Sequence, residues 1–376
     1  MSRRINRRDF LHGAAATSAL LMSARLPRAF ASERRFAPVN VSRDRVIREV
    51  VGLRPYRSAG FVVDAEKFGN KLLVHNYGHG GGGVTLSWGT ASLAVDLARE
   101  FLTTSRRRRF AVLGCGVSGL SVARLLQRHF QNGPGTVTIY AQALPPDTTS
   151  NIAGASWVPT SVYEPDMVDA KFNDQFRRAC QISNRAFQLL VGPEYGVRWI
   201  DMYELLRNEM SLESELAGGD ALYPGRQIHR NPERYFGFPV VRQYSTMLIE
   251  PSIYLSALLR DFYIAGGRVV VREFRSRREI ARLRETVVFN CTGLGSRALF
   301  DDEELIPVRG QLEILLPQPE IDYCYLSSGY MFPRRDGIIL GGTWDHNNWS
   351  LLPNAEQANQ ILETHTSIMK SLRSVD

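Results

Sequence analysis

Cysteine is scarce in this 376-residue chain: Cys115, Cys180, Cys291 and Cys324 are its four, and they lie far apart. None forms a CxxC pair or joins histidines at metal-ligand spacing. That excludes a zinc ribbon and a redox dithiol and leaves them as small buried residues. There is no Gly-X-Y period, no sustained heptad and no repeat of about 20–50 residues, so fibres and solenoids are excluded. No apolar run reaches the ~20 residues of a helical membrane span. With 22% charged and 44% apolar residues the chain is not a disordered tail either. It is long enough for two interlocked domains of ~100–200 residues each and a large core.

A formal net charge of +8 raises the question of nucleic acid. Arg3, Arg4, Arg7, Arg8, Arg25 and Arg28 against Asp9 give residues 1–31 a net +5, leaving +3 for the rest. No nucleic-acid partner is expected, and the run Arg106 to Arg109 reads as a solvated linker. Asn6-Arg7-Arg8-Asp9-Phe10-Leu11, the small and apolar stretch Gly13 to Met22, and Ala29-Phe30-Ala31 together resemble a twin-arginine export signal with its cleavage site. The resemblance implies export, already folded, by the twin-arginine machinery to a periplasmic or secreted location. It also implies a prosthetic group inserted beforehand. His75 and His79 stand four apart, but HNYGHGGGG is too glycine-rich for a metal-binding helix, so no metal is expected.

The chemistry begins at FAVLGCGVSGLSVARLL. Four apolar residues, Phe110 to Leu113, predict a strand, Gly114-x-Gly116-x-x-Gly119 a tight turn, and Leu120, Ala123 and Leu126 one face of a helix. This is a dinucleotide-binding turn in its proper context. Gly114 permits the turn, Gly116 lets backbone approach a pyrophosphate, and Gly119 lets helix and strand pack closely. Val117 and Ser118 open the helix whose N-terminus faces the phosphate. A second strand, Thr136 to Tyr140, follows at the expected distance. The acidic residue expected after it, to hold a ribose hydroxyl, is replaced by Gln142. The turn alone does not separate NAD from FAD.

Four further segments resemble the D-amino-acid oxidase family. DTTSNIAGASWVP is similar to its TTT-x-x-AAG-x-W-x-P segment. VVFNCTGLGSRAL followed by PVRGQ is similar to VNCTG…GRGQ, and GYMFPRRDGIILGGTW to PYIIP…LGGTF. GLRPYR and HNYGHGGGGVTLSWG resemble GFRPVR and HNYGHGGYGLTIHWG. Together they cover nearly all of residues 45–355. In the family the phosphate-binding turn opens the chain and the last two segments close it, whereas here Gly52 to Trp88 precede Gly114. The chain therefore reads as a circular permutant, joined through about Thr103 to Arg109, with new ends near Ser42 and Asp376.

The resemblance implies FAD as cofactor and oxidative deamination of a D-amino acid as the reaction. Arg54 would bind the substrate carboxylate bidentately together with Tyr330, and Gly81 would offer a backbone carbonyl to the amine. Gripped so, the substrate would deliver hydride by position alone, with no dedicated base. The flavin would be held by the Gly114 turn, by Thr148, Thr149, Ser150, Ala153 and Gly154, by Thr292 and Gly293, and by Gly80, Gly82, Gly83, Val84 and Thr85. Val84 to Leu86 would open a helix through Leu93, Leu97 and Phe101 aimed at the flavin. Two departures matter. The family's second active-site tyrosine is Leu326, with Tyr323 and Tyr325 nearby, and a pocket glutamine is Val158. Both favour an apolar substrate side chain.

The expected fold class is α/β, a Rossmann-type FAD-binding domain plus a mixed-sheet substrate domain in circularly permuted order. Segment 1–31 is the signal, 45–102 carries the substrate arginine and glycine-rich loop, and 103–109 is a basic linker. Segment 110–155 starts the FAD domain and 281–300 returns to it. Segments 156–280 and 301–355 supply the substrate domain and further flavin contacts, and 356–376 is a polar C-terminal helix. Residues 45–72 are expected in the substrate domain and 335–345 in the FAD domain. The partners are an amino acid and oxygen or another electron acceptor. A glycine- or sarcosine-type amine oxidase or a dehydrogenase on the same scaffold, and a flavin-binding protein with little turnover, stay open.

Overall fold

A four-residue apolar run such as Phe110–Leu113 has no polar side to turn to water, and the chain buries it on both faces of a parallel sheet. The computed structural model describes residues 36–101, 109–130, 137–212, 214–230 and 236–373. The expected export signal and residues 103–108 of the linker lie outside these. The chain divides into Met1–Ala37 and Pro38–Asp376, and the architecture is that of the second unit.

Its strands are β1 (Val46–Tyr56), β2 (Val62–Phe68), β3 (Lys71–Tyr77), β4 (Phe110–Leu113), β5 (Val137–Ala141), β6 (Val197–Leu206), β7 (Gln227–His229) and β8 (Val240–Ile249). There follow β9 (Arg268–Val271), β10 (Val287–Asn290), β11 (Ile306–Leu315), β12 (Tyr323–Leu326), β13 (Tyr330–Arg334), β14 (Gly337–Gly341) and β15 (Asp345–His346). The helices are α1 (Ser87–Phe101), α2 (Val117–Phe130), α3 (Thr149–Ile152), α4 (Ala170–Gln188), α5 (Pro251–Ile264), α6 (Arg277–Ala281), α7 (Gly295–Phe300) and α8 (Ala355–Arg373). None of the described helices is long and apolar enough to cross a membrane.

The first sheet has six strands in the order β2-β3-β10-β4-β5-β9. The last five are mutually parallel, and β2 closes one edge antiparallel to β3. Alternate residues serve two cores. Val74, Phe110, Val112, Ile139 and Phe289 face one core with Trp88, Leu120 and Leu126 of α1 and α2. Leu73, Ala111, Leu113 and Val288 face the other with Ile280, Leu283 and Leu299. Each such side chain stabilises by roughly 1.5–3 kcal/mol on burial.

The second sheet is mixed, in the order β1-β11-β14-β13-β12-β6-β8-β7, with β15 against β11. Its single parallel pair is β12 with β6. Helix α8 packs on β11 and β14, burying Ala358, Ile361, Leu362, His365, Ile368 and Met369. It is thus amphipathic rather than simply polar.

The strands are shared out differently from expectation in three places. Residues 62–72 lie in the parallel sheet, because all seven residues of β3 are buried and need cover on both faces. Strand β9 pairs with β5 and extends that sheet, so the 156–280 segment is not wholly substrate domain. Strand β14 pairs with β11 and β13, which puts 337–341 in the mixed sheet instead of the FAD domain.

Candidate active site

The carboxyl ends of all five parallel strands open into one cavity of about 1590 Å³, the place where open α/β sheets bind ligands. After β4 comes the Gly114 turn, after β5 Gln142, after β9 Arg272 to Arg275, after β10 Cys291 to Gly295, and after β3 the Gly80 to Thr85 loop. The mixed sheet supplies the opposite wall with Arg54, Leu312, Leu326, Tyr330 and Phe332. The glycine-rich loop after β3 and the Gly114 turn after β4, the two expected halves of the site, therefore meet in one space.

The turn after β4 is built as its glycines predict. Gly114 has φ +106°, and a Cβ there would fall 2.4 Å from the Cys291 carbonyl oxygen. A Cβ on Gly116 would meet only Ser150 Oγ, at 3.1 Å, so the backbone lies open to the cavity. The first helical amide, that of Val117, donates to Ser150 Oγ at 3.0 Å. Ser118, Thr148, Thr149, Ala153 and Gly154 line the same wall. Two expected cofactor residues do not. A Cβ on Gly119 would lie 2.1 Å from the Gly114 oxygen, and one on Gly82 2.6 Å from Val162, so both are packing glycines behind the wall.

The loop after β3 runs as a tight turn over Gly80–Gly82, and α1 starts at Ser87, three residues later than expected. Gly80, Gly81, Gly83, Val84 and Thr85 line the cavity, with the Gly81 amide donating to Ser161 O at 2.9 Å. Trp157 is fully buried, and its Nε1 donates to Thr85 O at 3.1 Å, tying the 148–158 segment to this loop. Asn76, also fully buried, lines the cavity. Its Nδ2 has no hydrogen-bond partner beyond a weak contact with the Cys291 thiol. A buried donor left over beside a cavity is what a bound polar group would satisfy.

On the opposite wall Arg54 Nη2 donates to the Tyr330 hydroxyl at 3.5 Å and Nη1 to Thr343 O at 3.4 Å. Two strand glycines make the room. A Cβ on Gly310 would sit 2.3 Å from Arg54 Nη1, and one on Gly341 2.3 Å from Tyr330 Cζ. The Tyr330 ring stacks on Phe332 at 4.9 Å. Leu326 and Val158 both line the cavity, while Tyr323 and Tyr325 are fully buried elsewhere. Neither replaces the tyrosine missing at 326.

Burial pushes His79 down to about 4, which leaves it neutral at pH 7. Burial also raises the Cys115 thiol to about 12 and the Cys291 thiol further, so neither is a nucleophile. His75 lies on a strand, hydrogen-bonded to Asn290, and the described residues contain no group placed to hold a metal.

Asn76, Gly310, Gly341 and Trp344 lie inside the family-like segments but receive no role from the sequence reading. A glycine inside a strand pattern is a general sign of close approach, yet nothing local says what approaches.

Parallel strands ending on a glycine turn, with an arginine–tyrosine pair facing them across one cavity, are the arrangement of a dinucleotide-binding protein whose cofactor shares its cavity with a second, small ligand. The profile described as FAD dependent oxidoreductase matches residues 23–97 and 109–376, and the chain belongs to that family. It is similar to D-amino-acid oxidase of Rubrobacter xylanophilus, 30% identical over 275 residues, covering 70% of this chain and 78% of the relative. D-aspartate oxidase of Homo sapiens is 29% identical over 269 residues, 70% of this chain and 76% of the relative. Among solved structures, glycine oxidase from Bacillus cereus superposes with a TM-score of 0.52 at 17% identity, over 71% of this chain and 79% of that one. L-proline dehydrogenase from P. horikoshii gives 0.53 at 16%, over 71% and 78%. The cofactor is FAD, and the open Gly116 backbone, the α2 N-terminus and the leftover Asn76 donor fit it.

Proposed function

We propose that the protein oxidises D-amino acids with one carboxylate and an apolar side chain. The observation that carries this reading is the Arg54–Tyr330 pair, seated by Gly310 and Gly341. Arg54 and Tyr330 bind the substrate carboxylate, and the Gly81 carbonyl accepts from the amine. Held at two points, one enantiomer turns its Cα–H toward the glycine-rich wall, so position replaces a general base. Bound FAD would supply the hydride acceptor, with oxygen or another acceptor as the final destination of the electron pair. Cα gives up its hydrogen with the electron pair and the free amine gives up a proton to solvent, so the Cα–N bond becomes an imine. Water then replaces the nitrogen to give keto acid and ammonia, and where oxygen is the acceptor it takes two electrons and two protons and leaves as hydrogen peroxide.

The side-chain preference is supported by the lining. Among the described cavity residues the cations are Arg54, Arg272 and Arg275, and the last two follow β9 beside Gln142. A second carboxylate near Tyr330 meets Leu326, the cross-strand neighbour of that tyrosine, and Val158 adds a further apolar side chain to the cavity lining. The test is anaerobic bleaching of the flavin by a panel of D- and L-amino acids, glycine and sarcosine. Bleaching by apolar D-amino acids, with peroxide on admitting oxygen, supports the reading. Bleaching by glycine or sarcosine alone moves the protein to the amine oxidases, and no bleaching by any amine leaves a flavin-binding protein.

We also propose that the chain order is a circular permutation of the family's and that residues 1–31 direct twin-arginine export. Support for the first is the matching of the family in two stretches and the parallel pairing of β3 beside β10 and β4. Moving residues 38–101 behind 373 should preserve flavin binding and turnover. The second rests on Arg7 and Arg8, whose replacement by lysine should strand the protein in the cytoplasm.

A further inference from the structure

Arg54 lies between two surfaces, and only one of them has a role so far. On one side is the bare backbone of Gly310. On the other, its guanidinium carbon lies 4.9 Å from the centroid of the Trp344 ring. Trp344 is 37% exposed and lines the cavity, yet it is not a free surface aromatic. Its Nε1 donates to His346 Nε2 at 2.6 Å, and its ring packs edge-on against buried Tyr56 at 5.7 Å. The hydroxyl of Tyr56 is in turn bonded to Glu164. The segment that follows is tied down by Arg309, 2% exposed, which donates to Ser350 O at 3.1 Å and Leu352 O at 2.7 Å and pairs with Asp345 at 3.3 Å.

We propose that Trp344 is a positioning residue for the substrate carboxylate: its indole face holds the Arg54 guanidinium flat against Gly310 and shields it from water. The inference rests on the reading of Arg54 as carboxylate anchor. A guanidinium over an aromatic face is attracted by the ring quadrupole, more strongly as water is withdrawn. A guanidinium fixed between indole and backbone has only its in-plane donors left to offer, the fork that a carboxylate accepts. The same exclusion of water strengthens the ion pair formed when substrate arrives.

The experiment compares Trp344→Phe and Trp344→Leu in the full FAD-loaded protein. Propionate, butyrate and hexanoate, which carry the carboxylate but no amine to oxidise, are titrated while the flavin absorbance is followed. KM and kcat are measured alongside. Phe keeps a ring face and should bind within about 3-fold of native, whereas Leu should bind about 10-fold more weakly. KM should rise by the same factor in the Leu variant, with kcat changed less than about 3-fold. Native affinity in Trp344→Leu overturns the proposal. Equal loss in both variants also overturns it, since the indole N–H to His346 would then carry the effect. Should the Leu variant not hold FAD, Trp344→Met takes its place with the same expectations. Carboxylate binding separates this inference from the proposed reaction. If no amino acid is oxidised but the Phe and Leu variants differ as stated, the reaction falls and the role of Trp344 stands.

Discussion

Replacing Gly310 by alanine places a methyl group where the Arg54 guanidinium now lies. The new Cβ would be 2.3 Å from Nη1 and 2.6 Å from both Cζ and Nη2, against roughly 3.5–4.0 Å for a comfortable contact. The guanidinium must therefore move by about 1 Å or more. Arg54 is the far end of a flexible side chain and Gly310 has no left-handed φ, so the β1–β11 pairing and the flavin cavity should survive. We expect a stability loss below about 1 kcal/mol. Misdirecting a charge-assisted anchor costs more, about 1.5–3 kcal/mol, or roughly 10- to 150-fold in affinity. The assay is KM for the best D-amino acid together with propionate binding, each compared with Arg54→Ala and with the double variant. If Gly310 acts only through Arg54, the double variant should be no worse than Arg54→Ala alone. A Gly310→Ala protein with intact flavin spectrum and KM within about 3-fold of native would refute the reasoning, because the methyl group would then not reach the anchor.

Three further outcomes are expected. Ala155 lines the cavity with φ +63°, a conformation that costs a non-glycine residue about 1–2 kcal/mol. Set against the entropy of glycine, Ala155→Gly should stabilise by up to about 1 kcal/mol, and a lower melting temperature would contradict this. At Gly89 a Cβ would fall 2.0 Å from Ala179 O across the α1–α4 contact, so Gly89→Ala should destabilise by about 3 kcal/mol or fail to accumulate as folded protein. Acid should also weaken the fold through His79 and His365, both pushed down by burial from 6.5 to about 4. Between those pH values the unfolded chain binds protons that the folded one refuses. Their contribution is therefore full above pH 6.5 and falls toward pH 4, by about 3 kcal/mol each. Glu250 and Glu313, held above the ordinary carboxylate range by burial, work the other way. Urea midpoints from pH 7 to 4 check the sum, and His365→Gln should flatten the slope.

What could be read without coordinates is local. Phe110 to Gly119 is a strand, turn and helix contiguous in sequence, so its backbone donors are placed by their own geometry wherever the unit sits. The same holds for Gly80 to Thr85 and for Thr148 to Gly154, whose expected place at the flavin comes from resemblance in short, unbroken segments. The allocation of β2, β9 and β14 to sheets was not legible in the same way. Runs such as Arg268–Val271 and Gly337–Gly341 are apolar enough for either sheet, and membership is decided by a partner strand far along the chain.

The sequence by itself determined the dinucleotide-type turn at Gly114, and only the resemblance of short segments to a family singled out Arg54, Tyr330 and the expected flavin contacts. Only the tertiary structure decided that Gly310 and Gly341 seat Arg54 and Tyr330, that Trp344 lies over Arg54, that Asn76 is left with a donor to spare, and that Gly82 stands behind the wall. The physical reason is range. Backbone direction is set within a few residues, whereas the meeting of positions 54, 310, 330 and 344 depends on the register of β1, β11, β13, β14 and β15 in one sheet.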